Sequence, residues 1–235
     1  MPSPDQLSFE LIDQEPTSLG LLTLHRYTAP DGQTGFEVRI DDAFLMATHG
    51  AAGEVHMARL AWEALGAPRQ GLHVLVGGLG AGHTLRAVLD LAGVAAVTVA
   101  ELGAKVVEWN RAHFAASSGH ALDDPRVRVV VGDLARLLAA TDQGFDLMLL
   151  DVDNGPGWLA APGNARLYQA AGLAECWRAL RPGGVMAVWS PSVNAVFRDA
   201  LARAFPGAKE CPTGAFNEQG ERGEDVVYLG TRPRR

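Results

Sequence analysis

The chain has 235 residues, 48% of them apolar, which is enough to bury the core of one large domain or of a domain with a small appendage. A net charge of -7 argues against nucleic acid or an anionic membrane as partner, because such surfaces are held by basic patches that neutralise phosphate. Two distant cysteines, Cys176 and Cys211, make neither a disulfide framework nor a metal-ligand spacing, so no metal is expected and a reducing, cytoplasmic setting is the default. The longest apolar stretch, residues 91–100, is about half of what a membrane span needs, and no secretory leader is legible.

In chain order, residues 1–6 read as a loose terminus. Residues 21–27 and 36–40 read as two strands joined by a Pro/Gly turn. A small β unit over 1–52 is therefore expected to precede a larger domain over 53–235. Apolar Val55, Leu60, Ala61, Ala64 and Leu65 recur at helical spacing before Gly66 and Pro68 end that helix. From there strands and helices alternate. Strands are expected over 73–78, 95–101, 126–133, 145–151, 184–190 and near 224–230, with helices over 83–92, 104–116, 134–140, 164–180 and 194–205. Strands that are apolar nearly throughout, separated by helices, predict an α/β fold with a mostly parallel sheet covered on both faces. Ligands of such sheets bind beyond the carboxyl ends of the strands.

Those ends carry the candidate site. After the first strand of the larger domain come Gly77, Gly78, Gly80 and Gly82, which permit a tight turn and close approach of backbone to ligand at a helix start. The third glycine of the dinucleotide fingerprint is missing, so the turn matches the G-x-G-x-G of nucleoside-sulfonium binders better than a nicotinamide site. Glu101, about twenty residues on, stands where an acid commonly accepts from both ribose hydroxyls. Asp133 is either a helix N-cap or an adenine acceptor, and the two roles are compatible. Asp151 and Asp153, two apart, point to the same side if the strand persists, and the Gly-Pro-Gly beyond them bends the chain away. Trp158 and Trp189 could wall the cleft or belong to the core. The histidines form no metal-binding pair, and Ser190 and Ser192 lack the elbow of a nucleophilic hydrolase.

Four segments then resemble the spermidine synthase family, the polyamine aminopropyltransferases, built on the Rossmann-like class I methyltransferase fold. They are GGLGAGHTLRAVL, VAELGAKVVEWN, DPRVRVVVGD and FDLMLLDVDNGP, and the likeness extends over roughly residues 21–230. The resemblance implies a donor, S-adenosylmethionine or its decarboxylated form, held by the glycine turn, Glu101 and Asp133 with Leu134. It implies Asp151 as the acid at the reacting amine, with Asp153, Asn154, Trp189 and His56 on the substrate side. The partner would be a small-molecule amine, and a homodimer is compatible with the family's habit. Departures accompany it: Gly80 stands where the family has an acid that grips the amino end of the aminopropyl chain, Val55 and Met57 flank His56 where the family has Tyr and Glu, Leu173 replaces a Tyr, Trp189 a Gln, and Asn154 the second acid of D-x-x-D, with Asp153 as its substitute. Together they predict an acceptor other than strictly putrescine, since a buried ammonium without partners costs several kcal/mol. Methyl transfer on the same scaffold and a non-catalytic nucleoside-binding role remain the alternatives.

Overall fold

The computed structural model describes residues 7–66, 69–152, 155–157, 159, 162–213 and 225–234. Two sheets organise them. A four-stranded antiparallel sheet runs in the order β1 (Ser8–Thr17), β2 (Gly20–Thr28), β3 (Thr34–Ile40), β4 (Ala43–Ala47). A seven-stranded sheet follows, made of β5 (Leu72–Gly77), β6 (Val94–Glu101), β7 (Val127–Val131), β8 (Phe145–Leu150), β9 (Leu180–Ser190), β10 (Lys209–Pro212) and β11 (Val226–Thr231). Its spatial order is β10-β11-β9-β8-β5-β6-β7. The five strands β5 to β9 are parallel, and β11 inserts antiparallel to both β9 and β10.

The chain leaves β5 toward β6 on one side and returns to β8 on the other, so β5 and β8 flank the point where strand order reverses. That is where a crevice opens in such sheets. β5 and β8 are buried along nearly their whole length, which explains their unbroken apolar sequences.

Helices cover both faces. α1 (Ala52–Ala64), α2 (His83–Leu89) and α3 (Ala104–Trp109) lie on one side, and α4 (Leu134–Ala140), α5 (Ala170–Ala179) and α6 (Ala195–Ala204) on the other. α1 turns Met57, Ala58 and Ala61 inward against β9, β11, β8 and α2. The first core continues into the small sheet, where Leu22, Leu24, Val38 and Ile40 pack in the same cluster as Leu79, Val106, Trp109 and Phe114. Polar ties reinforce the join: Trp109 Nε1 donates to Asp13 Oδ2 at 2.9 Å, and Lys105 Nζ lies 3.0 Å from the same oxygen. The small sheet thus roofs the carboxyl edge of the large one.

Several elements differ from expectation. The N-terminal unit has four strands, because β1 and β4 were not anticipated. β1 is exposed along most of its length, so it lacks the alternating apolar pattern that marks a half-buried strand. β10, a short edge strand, escaped for the same reason. The helix expected over 104–116 ends at Trp109 and widens into a π-helical turn, Asn110–Phe114. There Asn110 Nδ2 donates to Gly80 O at 2.7 Å and to Val106 O at 3.1 Å, bracing the glycine turn. The helix expected over 164–180 divides into a 3₁₀ stretch, Pro162–Tyr168, and α5. The expected loose start, residues 1–6, lies outside the described residues. No helix among the described residues is long and apolar enough to cross a membrane.

Candidate active site

A cavity of about 830 Å³ lies between the roof and the carboxyl ends of β5, β6, β7 and β8. This is within the range of small-molecule sites, roughly 300–1,000 Å³. Gly78, Gly80, Glu101, Asp133, Leu134, Asp151 and Trp189 all line it. The expected convergence of Glu101, Asp133 and Asp151 on one space is therefore present.

The glycine turn works by shape. Gly78 has φ +87°, and a Cβ there would lie 2.2 Å from the carbonyl oxygen of Asp151. No side chain fits, because β5 and the end of β8 pass too closely. Gly80, in contrast, opens to the cavity, with only Met46 Sδ near, at 3.8 Å from where a Cβ would sit. Gly77 and Gly82 were expected to touch the donor, and neither is on the cavity wall. Gly77 is packed against Leu134 and Leu150, and Gly82, in a left-handed N-cap, against Ser118 and Asn110. Both are glycines because the core around the turn leaves no room.

Glu101 ends β6 with its carboxylate turned back under the turn. Oε2 accepts from Leu79 N at 2.9 Å and Oε1 from Gly103 N at 2.8 Å. Burial pushes its pKa up, and these backbone donors oppose the shift. Each oxygen keeps a lone pair for a hydroxyl. Asp133 caps α4, its Oδ1 accepting from Ala135 N at 2.8 Å, so its structural role is real while its residue also faces the cavity.

Asp151 follows β8 directly. Its N–H donates to Gly77 O at 2.8 Å, and Thr84 Oγ1 donates to its Oδ2 at 2.6 Å. Burial raises its pKa, with the Thr84 hydrogen bond pulling the other way. Thr84 went unnoticed in the sequence, since a threonine in the first turn of a helix carries no distinguishing signal. Asp153 and Asn154, expected beside the substrate, and Trp158 lie outside the described residues.

Three acids were missed altogether, among them Glu15 near the end of β1, which lines the cavity. Glu54, in the first turn of α1, and Asp225, just before β11, both line the cavity. Glu54 is pushed up to about 7, first by burial and then by the negative Asp151. An acid in a first helical turn ordinarily reads as a partner of the helix dipole, so nothing in the sequence set Glu54 apart.

His56 was expected on the substrate side, and the structure corrects this. Two residues beyond Glu54 on a helix, it faces away from the cavity, with Nδ1 3.3 Å from Arg59 Nη2. His83 also lines the cavity, its pKa lowered by burial. Trp189 lies against α1, where a Cβ on Gly53 would come within 2.9 Å of its indole nitrogen.

The described wall carries six carboxylates, Glu15, Glu54, Glu101, Asp133, Asp151 and Asp225, against one lysine, Lys105, itself paired with Asp13 and Glu108. Such a space favours a cation and disfavours an anion. Among the described residues no group of three or more His, Cys, Asp or Glu side chains is placed to hold a metal ion.

The family model for the spermine/spermidine synthase domain matches residues 55–198, more than half of the chain. The chain belongs to the spermine/spermidine synthase family. It is 34% identical over 113 residues to the polyamine aminopropyltransferase of Escherichia coli O1:K1, a segment covering 48% of this chain and 38% of that one. The corresponding protein of Klebsiella pneumoniae strain 342 is 35% identical over the same length, with the same coverage. The matched segment thus spans well under half of these curated relatives. The fold agrees more widely. A spermidine synthase solved with the transition-state analogue AdoDATO superposes with a TM-score of 0.77 at 18% identity, covering 100% of this chain and 83% of that one. The spermidine synthase of Thermotoga maritima gives 0.75 at 17% identity, covering 100% and 82%. The Rossmann-like fold of this spermine/spermidine synthase family member, with its small N-terminal antiparallel sheet, accordingly stands as expected from the sequence.

Proposed function

We propose that this protein transfers the aminopropyl group of decarboxylated S-adenosylmethionine to an amine acceptor that is not strictly putrescine. The observation that carries this reading is the opening of Glu101, Asp133 and Asp151, from three different strand ends, into one acid-lined cavity roofed by the small sheet.

Glu101 accepts the ribose hydroxyls through the lone pairs its two backbone donors leave free, while Asp133 and Leu134 hold the adenine. Gly78 and Gly80 let the backbone approach the donor closely. When bound, the donor supplies an electrophilic methylene on a sulfonium sulfur. Asp151, fixed through Oδ2 by Thr84, holds the acceptor ammonium and takes its proton, which frees the nitrogen lone pair to form the new C–N bond as the C–S bond breaks. The electron pair of that bond leaves with sulfur, giving neutral methylthioadenosine. Alignment of the two reactants can supply an effective molarity of about 10⁵ M or more, and a placed base about 10²- to 10⁴-fold. Net negative charge on the wall supports a donor without the methionine carboxylate, because Lys105 is already paired and no other lysine or arginine lines the described wall.

The test is to incubate the protein with each donor and a panel of amines, then identify the nucleoside product by mass spectrometry. Methylthioadenosine supports aminopropyl transfer, S-adenosylhomocysteine would mean methyl transfer, and no product with any pair would overturn the transferase reading.

A further inference from the structure

The reaction proposed above leaves Glu54, an acid of the cavity wall, without a task. Glu54 lies in the first turn of α1, yet no side chain caps that helix and the carboxyl is turned into the cavity rather than toward solvent. Strand register fixes its surroundings. Leu150 pairs with Val188, so Asp151 and Trp189, the next residues of β8 and β9, stand level. Val226 pairs with Ser190, which brings Asp225 to the same edge from the antiparallel β11. Gly53 is pressed on the Trp189 indole nitrogen, and Glu54 is the next residue. Glu54, Asp151 and Asp225 therefore surround one small region, beside the glycine turn and apart from Glu101 and Asp133.

We propose that Glu54 is the specificity-determining residue of the acceptor subsite, taking the acceptor ammonium between itself and Asp151, with the Trp189 ring as the adjoining wall. The inference rests on the aminopropyl-transfer reading and adds to it the group that replaces the lost polar contacts around Val55, Met57 and His56. Burial first, and then the charge of Asp151, push Glu54 up to about 7 in the empty site, so it keeps a proton there near neutral pH. An entering ammonium makes both anions favourable and displaces that proton. The groups facing Glu54 are Asp151 from the end of β8 and Asp225 from the start of β11, and Glu15, His49, His83, Glu101, Lys105 and Asp133 are the remaining titratable side chains of the described wall. Asp151 keeps its Thr84 bond, and its other oxygen is left for the amine. The acceptor is thus recognised by a primary ammonium at its reacting end, whatever its distal part.

Glu54→Gln and Glu54→Asp, compared with the unaltered protein, test this. Amines are titrated calorimetrically onto protein saturated with methylthioadenosine, and KM and kcat are followed by nucleoside release. Loss of one charged hydrogen bond predicts acceptor affinity weakened by about tenfold to a hundredfold in Glu54→Gln, methylthioadenosine affinity within about twofold, and partial recovery in Glu54→Asp. The proton released on amine binding near pH 6–7, read in buffers of different ionisation enthalpy, should vanish in Glu54→Gln. Acceptor affinity and proton release unchanged in Glu54→Gln overturn the assignment while leaving aminopropyl transfer standing. An unaltered protein that binds no amine and forms no methylthioadenosine overturns both. Thermal unfolding at pH 8 shows whether Glu54→Gln is folded, and since it removes an uncompensated buried charge, its melting temperature should equal or exceed that of the unaltered protein.

Discussion

The two halves of the cavity are built differently. The proposed donor half, Gly78, Gly80, Glu101 and Asp133, comes from the ends of three neighbouring parallel strands within 56 consecutive residues, each acid tied to local backbone N–H groups. The proposed acceptor half, Glu54, Asp151, Asp225 and Trp189, draws on the first helix, two central strands and the antiparallel β11, over 172 residues of chain. In the first half the backbone satisfies each acid before a ligand arrives. In the second, Asp151 accepts from the Thr84 hydroxyl, and burial followed by the charge of Asp151 pushes Glu54 up, so this half should govern both pH dependence and acceptor choice.

The contrast is broken most forcefully at Asp151. Asp151→Asn keeps the Thr84 contact but cannot take a proton, so single-turnover rates should fall by about 10²- to 10⁴-fold while calorimetric affinity for methylthioadenosine changes little. A comparable loss of nucleoside binding would put Asp151 in the donor half instead.

Gly78→Ala attacks the seam between the halves. Its Cβ would fall 2.2 Å from Asp151 O at a φ that L residues avoid, so β5 and β8 must part. Strain of about 1–3 kcal/mol or more is expected, with a melting temperature lower by about 2–4 °C for each kcal/mol. Both ligands should bind less well.

The pH response sharpens the comparison. Glu54 is raised from 4.5 to about 7 in the folded chain, so the folded state holds a proton that the unfolded state has released between those values. Stability of the ligand-free protein is then fullest below about pH 4.5 for this group and is lost as pH rises through about 7, by on the order of 3 kcal/mol. Affinity for a cationic amine should move oppositely, rising with pH up to about 7 and levelling. Denaturant melts across pH 5–8, with and without amine, read both slopes, and Glu54→Gln should flatten them.

The smallest effect is expected at His56. Its ring lies beside Arg59 away from the cavity, so His56→Ala should leave acceptor KM within about twofold. A tenfold change would return this residue to the substrate side and weaken the case for Glu54.

How much was legible follows the same division. β5 and β8 are written as apolar runs because they are buried on both faces; the glycine turn follows β5, Glu101 ends β6, Asp133 lies just beyond β7 and Asp151 follows β8. β1 and β4 were not legible, because exposed edge strands impose no pattern. His56 comes to the substrate side on resemblance alone, and only the rotation of α1, set by Met57, Ala58 and Ala61 packing inward, turns Glu54 to the cavity instead.

The sequence by itself determined the parallel α/β sheet, the glycine turn and the three acids Glu101, Asp133 and Asp151 at the strand ends, since burial and tight turns constrain residue type locally. The tertiary structure alone decided that Glu54 and Asp225 join Asp151 on one wall, that Gly77 and Gly82 are packed away from that wall, and that the small sheet closes the cavity. Those facts depend on how distant segments are brought together, and electrostatic coupling between carboxylates acts through space rather than along the chain.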